Sequence, residues 1–375
     1  MKLSDTLRLP ARKLVPAVAV LLLAIASAPV NLHYFAFSER PAKQVPDSVE
    51  ALTAGYATAA ITDNYNTAFI ARDIGIDLYG TLSWALFREG RPGVLEGVDG
   101  WLFSKEEFQT DARSRERMEK ALDFVGAAKQ RIEAAGSRLL VVVVPTKADV
   151  YPEKLGRYRL PQEPATRHAA LMAGLAARGI EVVDPAPQMR REKSQADSFL
   201  HTDTHWTPFG ANLTAQAIAR QVASLDLGPA TTFVREDKPP VLHEGDLLRY
   251  IRVLPFARGS VPAPDKVTPF EALRHNGGED LFGEAVVPVA LVGTSYSANA
   301  LFSFEAALKI ALSHDVLNVA KEGQGPFVPL RDYLSSDAFA ATPPALVIWE
   351  IPERYVDDAY DPSVFALPAA PATAS

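Results

Sequence analysis

Val289-Ala290-Leu291-Val292-Gly293-Thr294-Ser295-Tyr296-Ser297 reads as a buried strand, a glycine turn, a run of hydroxyl residues and the start of a helix. The apolar run from Val286 to Val292 suits a strand covered on both faces, as in a parallel sheet flanked by helices. A helix from Ser297 to Leu312 follows it. The same alternation extends outward in both directions. Residues 111–135 are rich in Arg, Glu, Lys and Ala, carry Met118, Leu122, Val125 and Ile132 at helical spacing, and end at Gly136. Leu139 to Val144 is a second continuous apolar run. Helix signals at His168–Arg178 and Pro208–Leu225 are interleaved with strand signals at Ile180–Val183, Val316–Val319 and Ala345–Ile351. Helices alternating with apolar strands predict an α/β fold with a mainly parallel sheet. Residues 226–285, dense in Pro, Gly and charge, break the alternation and read as an insertion or lid within a domain spanning 91–360. The Ala/Pro-rich tail, 361–375, is expected to be disordered.

The chain has 375 residues, a net charge of −7 and no cysteine. Without cysteine there are no disulfides, thiolate nucleophiles or metal–thiolate centres. The acidic balance argues against a nucleic-acid partner. The first forty residues differ from the rest. Lys2, Arg8, Arg12 and Lys13 precede a stretch, Leu14 to Phe37, with no Lys, Arg, Asp or Glu. At about 1.5 Å per residue that stretch is long enough to cross roughly 30 Å of hydrocarbon. A basic start before an apolar run is the pattern of a secretory signal or signal anchor. Tyr34, Phe35 and Phe37 match an aromatic interface belt, and the positive flank puts the body outside the cytoplasm. Ala26-Ser27-Ala28 and Ala24-Ile25-Ala26 resemble cleavage sites, but Pro29 disfavours the first, so residues 1–37 are expected to stay as a membrane anchor. Residues 38–90 read as a linker with peripheral helices.

Chemistry concentrates in His201-Thr202-Asp203-Thr204-His205-Trp206-Thr207-Pro208, just before a predicted helix with Thr207 as N-cap and Pro208 as its first residue. In an extended segment His201, Asp203 and His205 share one side. A carboxylate beside an imidazole fixes its tautomer and stabilises the imidazolium, so Asp203–His205 is an orienter–base pair. A helix-entry loop of satisfied polar residues is the structural alternative. Ser295 lies where an open α/β sheet presents ligands, beyond the carboxyl end of a strand. With Ser297 as the helix cap, Ser295 is free to act as a nucleophile near backbone N–H groups. Lys147, after the first buried strand, is expected at the same end of the sheet. Glu350 and Arg354 are expected to form an ion pair, with a substrate clamp as the other reading. Asp246 and Arg249 read as a rim, and His33, His168, His243, His275 and His314 have no motif around them. No P-loop or G-x-G-x-x-G occurs, so no nucleotide cofactor is expected.

Asp203-Thr204-His205-Trp206-Thr207-Pro208, with Gly293-Thr294-Ser295-Tyr296-Ser297 downstream, resembles the AlgJ/AlgX-type alginate O-acetyltransferases, a branch of the SGNH-hydrolase-like proteins. Three further blocks agree: Asp99-Gly100-Trp101-Leu102-Phe103, Val144-Pro145-Thr146-Lys147 through Tyr151-Pro152-Glu153, and Glu350-Ile351-Pro352-Glu353-Arg354-Tyr355. The resemblance implies an SGNH-hydrolase-like, flavodoxin-like three-layer domain whose triad runs Asp203, His205, Ser295, a permuted order. It implies Ser295 as the acetyl-carrying nucleophile, His205 as base, and no cofactor. Backbone N–H of Ser295 or Tyr296 would bind the oxyanion, with Asn299 a side-chain candidate and Lys147 and Arg354 further contacts. It also implies a periplasmic protein of exopolysaccharide acetylation. An integral-membrane O-acyltransferase would supply acetyl, and the polysaccharide or a second acetyltransferase would receive it. An AlgX-type protein would carry a further C-terminal carbohydrate-binding module, and this sequence ends soon after its last strand, so it is expected to be AlgJ-like, as the expected anchor also suggests.

Two other functions fit parts of the sequence. His201, Asp203 and His205 have donor types suited to zinc, which would make the protein a metal-dependent hydrolase. Alternatively, Trp101 and Trp206 would stack sugars in a non-catalytic export scaffold.

Overall fold

Alternate residues of one central strand face opposite layers, and both layers are apolar. In the computed structural model, which describes residues 11–37, 44–46, 48–68, 71–275 and 287–367, Leu140, Val142 and Val144 pack into one core. Leu139, Val141 and Val143 pack into another on the opposite face. Such a strand is buried on both sides because helices cover both faces of the sheet. In chain order the strands are β1 (Val94–Glu96), β2 (Leu102–Ser104), β3 (Arg138–Val144), β4 (Val182–Val183), β5 (Phe233–Asp237), β6 (Val241–His243), β7 (Asp265–Val267), β8 (Phe270–Arg274), β9 (Val289–Val292), β10 (Val316–Asn318) and β11 (Leu346–Pro352). Five of them form one parallel sheet in the order β10-β9-β11-β3-β4. Helices Ser114–Ala134 and Phe327–Leu334 cover one face, and Pro208–Gln221 and Phe304–Leu312 the other. The expected α/β three-layer architecture is therefore present.

The last strand in sequence, β11, sits at the centre between β3 and β9. All three run parallel, so Val144, Val292 and Pro352 end at the same edge and deliver the segments after them there. Several boundaries are shorter than the sequence suggests. The helix after β9 is not continuous from Ser297 to Leu312. It is a turn of helix at Ser295–Ala298, a 3-10 turn at Ala300–Phe302 and a helix at Phe304–Leu312. The breaks fall at Asn299 and at Ser303, whose φ of 57° is left-handed. The tail is ordered further than its composition suggests. Pro362–Phe365 forms a 3-10 turn, and the Phe365 ring packs edge-on against Phe124 and Phe327. Residues 368–375 lie outside the described residues. Within 226–285, β5 pairs with β8 and β6 with β7, both antiparallel. Residues 276–286 lie outside the described residues.

The chain divides into two compact units, Met1–Phe87 with Arg252–Arg258, and Arg88–Ile251 with Gly259–Ser375. In the first, helices run over Ala11–Phe37, Val49–Thr53, Tyr56–Ala68 and Ala71–Phe87, and Arg252 pairs with Asp77 at 2.7 Å. Among the described residues no helix is long and apolar enough to cross a membrane.

His168, for which the sequence offers no motif, fastens helix Gln162–Ala177 to the end of β11. Its Nδ1 lies 2.9 Å from Glu353 and its Nε2 3.1 Å from Asp184. Burial works against its charge, but the two carboxylates prevail and raise it to about 10. A folded-state value above the unfolded one gives stability that is complete below about pH 6.5 and is lost as pH rises through about 10. His168→Gln is therefore expected to melt about 4 °C or more below the parent at pH 6. That gap should narrow steadily toward pH 10; a gap independent of pH would contradict the bridge.

Candidate active site

Ser295 begins the helical turn that follows β9. Gly293 precedes it because nothing larger fits: a Cβ there would lie 2.4 Å from Glu350 Oε2 and 2.9 Å from Glu350 Cβ. Glu350 sits in the neighbouring strand β11, one residue past the Trp349↔Val292 pair. Its buried carboxylate accepts from Thr294 N (2.8 Å), Thr294 Oγ1 (3.0 Å) and Ser297 Oγ (3.0 Å). Burial raises Glu350 to about 7, against the pull of these hydrogen bonds. The cap of the turn is Thr294, whose hydroxyl accepts from Tyr296 N, and not Ser297. Ser297 is unavailable because its hydroxyl is spent on Glu350. The expected Glu350–Arg354 ion pair does not form among the described residues. Arg354 instead donates to Tyr296 Oη (3.0 Å), Tyr355 Oη (3.1 Å) and Thr204 Oγ1 (3.4 Å), with Glu106 at 3.7 Å.

The segment carrying Asp203 and His205 is a tight loop, not an extended strand. Phe199 and Trp206 pair across its neck, and Leu200 N donates to His205 O. Lys147 shapes it. This ammonium is fully buried and donates to three carbonyls of the loop, Leu200 (2.8 Å), His201 (3.1 Å) and Asp203 (2.7 Å). Burial pulls Lys147 down to about 8, with Glu107 and Asp203 opposing. Lys147 thus holds backbone and does not face a substrate. Trp206 ties the two motifs together, donating its indole N–H to Tyr296 O at 3.1 Å. Trp101 and Trp206 are both buried in the core, so neither is placed to stack a sugar.

Ser295, His205 and Asp203 meet. His205 Nε2 lies 2.7 Å from Ser295 Oγ, and His205 Nδ1 lies 2.5 Å from Asp203 Oδ1. An ionised carboxylate only accepts, so Nδ1–H donates to Asp203 and Nε2 accepts from the serine hydroxyl. Phe302 stacks on the imidazole at 4.7 Å. Asp203 is buried, which by itself would raise its pKa. Hydrogen bonds from His205, His243 and the N–H of Asp246 outweigh that and hold it well below the usual carboxylate range. The arrangement can activate a hydroxyl for attack on an ester.

Other expected site residues fall differently. His201 is not with Asp203 and His205: its ring lies over Trp101 and meets Asp197 at 2.8 Å, because the loop curls around Lys147. The proposed His201–Asp203–His205 metal set is therefore not formed. Asp203, His205 and Asp246 do cluster, but all three already hold hydrogen-bond partners. Asp246 accepts from Thr204 N and Oγ1, and Asp203 is filled as described. The Tyr296 phenol is buried, donates to Thr204 O and receives from Arg354, so it supports the site from behind. Of the oxyanion candidates, Tyr296 N is engaged by the Thr294 cap at 3.3 Å. Ser295 N, at the first turn, has no intrahelical acceptor. Asn299 uses its Oδ1 to cap Leu301 N and lines a neighbouring cavity of about 540 Å³. His243, which has no motif around it, lies with Nε2 2.7 Å from Asp203 Oδ2.

A family model described as the SGNH hydrolase-like domain of the acetyltransferase AlgX matches residues 94–353. The chain belongs to that family. By class it is an O-acyltransferase, in keeping with relatives named as acetylases. The probable alginate O-acetylase AlgJ of Pseudomonas aeruginosa is 38% identical over 327 residues, 83% of this chain and 82% of that one. The solved O-acetyltransferase domain of Pseudomonas putida AlgJ superposes with a TM-score of 0.67 at 37% identity, covering 72% of this chain and 95% of that one. Pseudomonas aeruginosa AlgX superposes with a TM-score of 0.59 at 26% identity, covering 72% and 65%.

Removing the Lys147 ammonium leaves the buried carbonyls of Leu200 and Asp203 without a donor, while His201 O keeps Leu102 N. Lys147→Met is expected to cost about 2–5 kcal/mol of stability and to lower esterase activity with it. Urea denaturation unchanged from the parent would show that the loop holds its shape without Lys147.

Proposed function

We propose that this protein is a periplasmic O-acetyltransferase with acetylesterase capacity that serves acetylation of alginate or a similar exopolysaccharide. The single observation carrying the reading is the hydrogen-bonded line from Ser295 through His205 to Asp203 at the carboxyl edge of the sheet. Ser295 Oγ attacks the carbonyl carbon of an acetyl donor while its proton passes to His205 Nε2. Asp203 stabilises the imidazolium, and backbone N–H at Ser295 is the favoured oxyanion donor. The tetrahedral intermediate collapses, the bond to the leaving group breaks, and the leaving group takes the proton. An acceptor hydroxyl then attacks acetyl-Ser295 with His205 again as base, and the serine is regenerated. Water in place of the acceptor gives esterase activity.

The N-terminal segment, with its basic start and uncharged run, supports an inner-membrane anchor with the catalytic domain outside the cytoplasm. An integral-membrane O-acyltransferase is the proposed acetyl source. The acceptor is the polysaccharide or a second acetyltransferase. The names of the AlgJ and AlgX relatives support the alginate context.

Ser295→Ala is expected to reduce hydrolysis of p-nitrophenyl acetate by about 10³-fold or more. The parent activity should fractionate with the inner membrane. Undiminished turnover in the variant would remove Ser295 from the chemistry.

A further inference from the structure

Asp203 has two carboxylate oxygens, and each meets an imidazole. Oδ1 accepts from His205, and Oδ2 accepts from His243 Nε2 at 2.7 Å. His243 ends strand β6, forty residues further along the chain, in the segment that interrupts the α/β alternation. Three features bring it in. Gly245 lets the backbone press onto the motif loop, since a Cβ there would lie 2.1 Å from Thr202 O. Asp246 takes Thr204 N and Oγ1 and gives its own N–H to Asp203 Oδ2 at 3.0 Å. Asp265, opposite His243 on β7, takes the N–H groups of His201 and Thr202. The two imidazoles also share Phe302, which stacks on His205 and meets His243 edge-on at 6.2 Å.

We infer that His243 is a positioning residue for acyl transfer: its Nε2–H holds Asp203 Oδ2, so that Oδ1 stays aimed at His205. The inference rests on the proposed role of the triad. A carboxylate held from one side only can rotate, and each rotation breaks the line to Ser295. His243 and Asp246 N hold the far oxygen, so rotation would break two further hydrogen bonds. The charged groups acting on His243 are Asp203 on the motif loop, Asp246 on its own segment and Asp265 on β7. The Asp203 hydrogen bond, joined by the nearby carboxylates, raises the His243 value.

The test compares His243→Ala, His243→Gln and Ser295→Ala with the parent full-length chain in p-nitrophenyl acetate hydrolysis across pH. His243→Ala is expected to lower kcat by roughly 10-fold to 100-fold with little change in KM. His243→Gln keeps a neutral donor and is expected to recover most of kcat at pH 8. His243→Ala within twofold of the parent, beside an inactive Ser295→Ala, overturns the inference while leaving the triad intact. Equal losses in both His243 variants overturn it too, because the residue would then only support the loop. Full activity in Ser295→Ala would instead remove the triad on which the inference stands.

Discussion

A carboxylate buried without partners is among the most costly groups a fold can contain, so the structure around Asp203 is arranged to satisfy it. Its Oδ1 accepts from the His205 ring and the His205 backbone, and its Oδ2 from the His243 ring and the Asp246 backbone. Those contacts come from two distant parts of the chain, the motif loop and the segment of 226–285. Neither can shift without leaving the charge bare. The constraint fixes the His205 tautomer, which leaves Nε2 facing Ser295. It also explains why Lys147 is buried, since the ammonium gathers the carbonyls of the loop that carries the carboxylate.

A second buried carboxylate does for the Ser295 turn what Asp203 does for the His205 loop. Glu350 reaches from the central strand β11 to the turn after β9 and takes the donors of Thr294 and Ser297. Gly293 is needed because that carboxylate occupies the space of a side chain. The permuted chain order costs nothing geometrically. The base loop follows β4, and the serine turn ends β9 beside the central β11, so the sheet and not the sequence order brings them together. Trp206 and Arg354 then lock the two motifs to one another through Tyr296.

The sheet is legible because its main strands are largely apolar runs, and buried parallel strands require little else. The Asp203–His205 pair and Ser295 were legible from local pattern: a carboxylate two residues before an imidazole, and a hydroxyl after a strand and glycine. What the sequence hid depends on distance along the chain. His243 has no local motif, and its partner lies forty residues away. Ser297 looks like a cap until Glu350, on another strand, claims its hydroxyl. The spacing of Glu350 and Arg354 suggested an ion pair, but β11 ends at Pro352 and sends the two side chains to different partners. An extended segment would group His201 with Asp203 and His205, but the buried Lys147 curls that segment instead.

The central claim is that Ser295, activated through His205 and Asp203, carries the acetyl group. The most direct measurement is peptide mapping by mass spectrometry after acid quench of the enzyme with p-nitrophenyl acetate during turnover. The account predicts an acetyl group on Ser295 in the parent chain and none when His205 is replaced by alanine. Steady turnover with Ser295 unmodified and the acetyl group on another residue would contradict it.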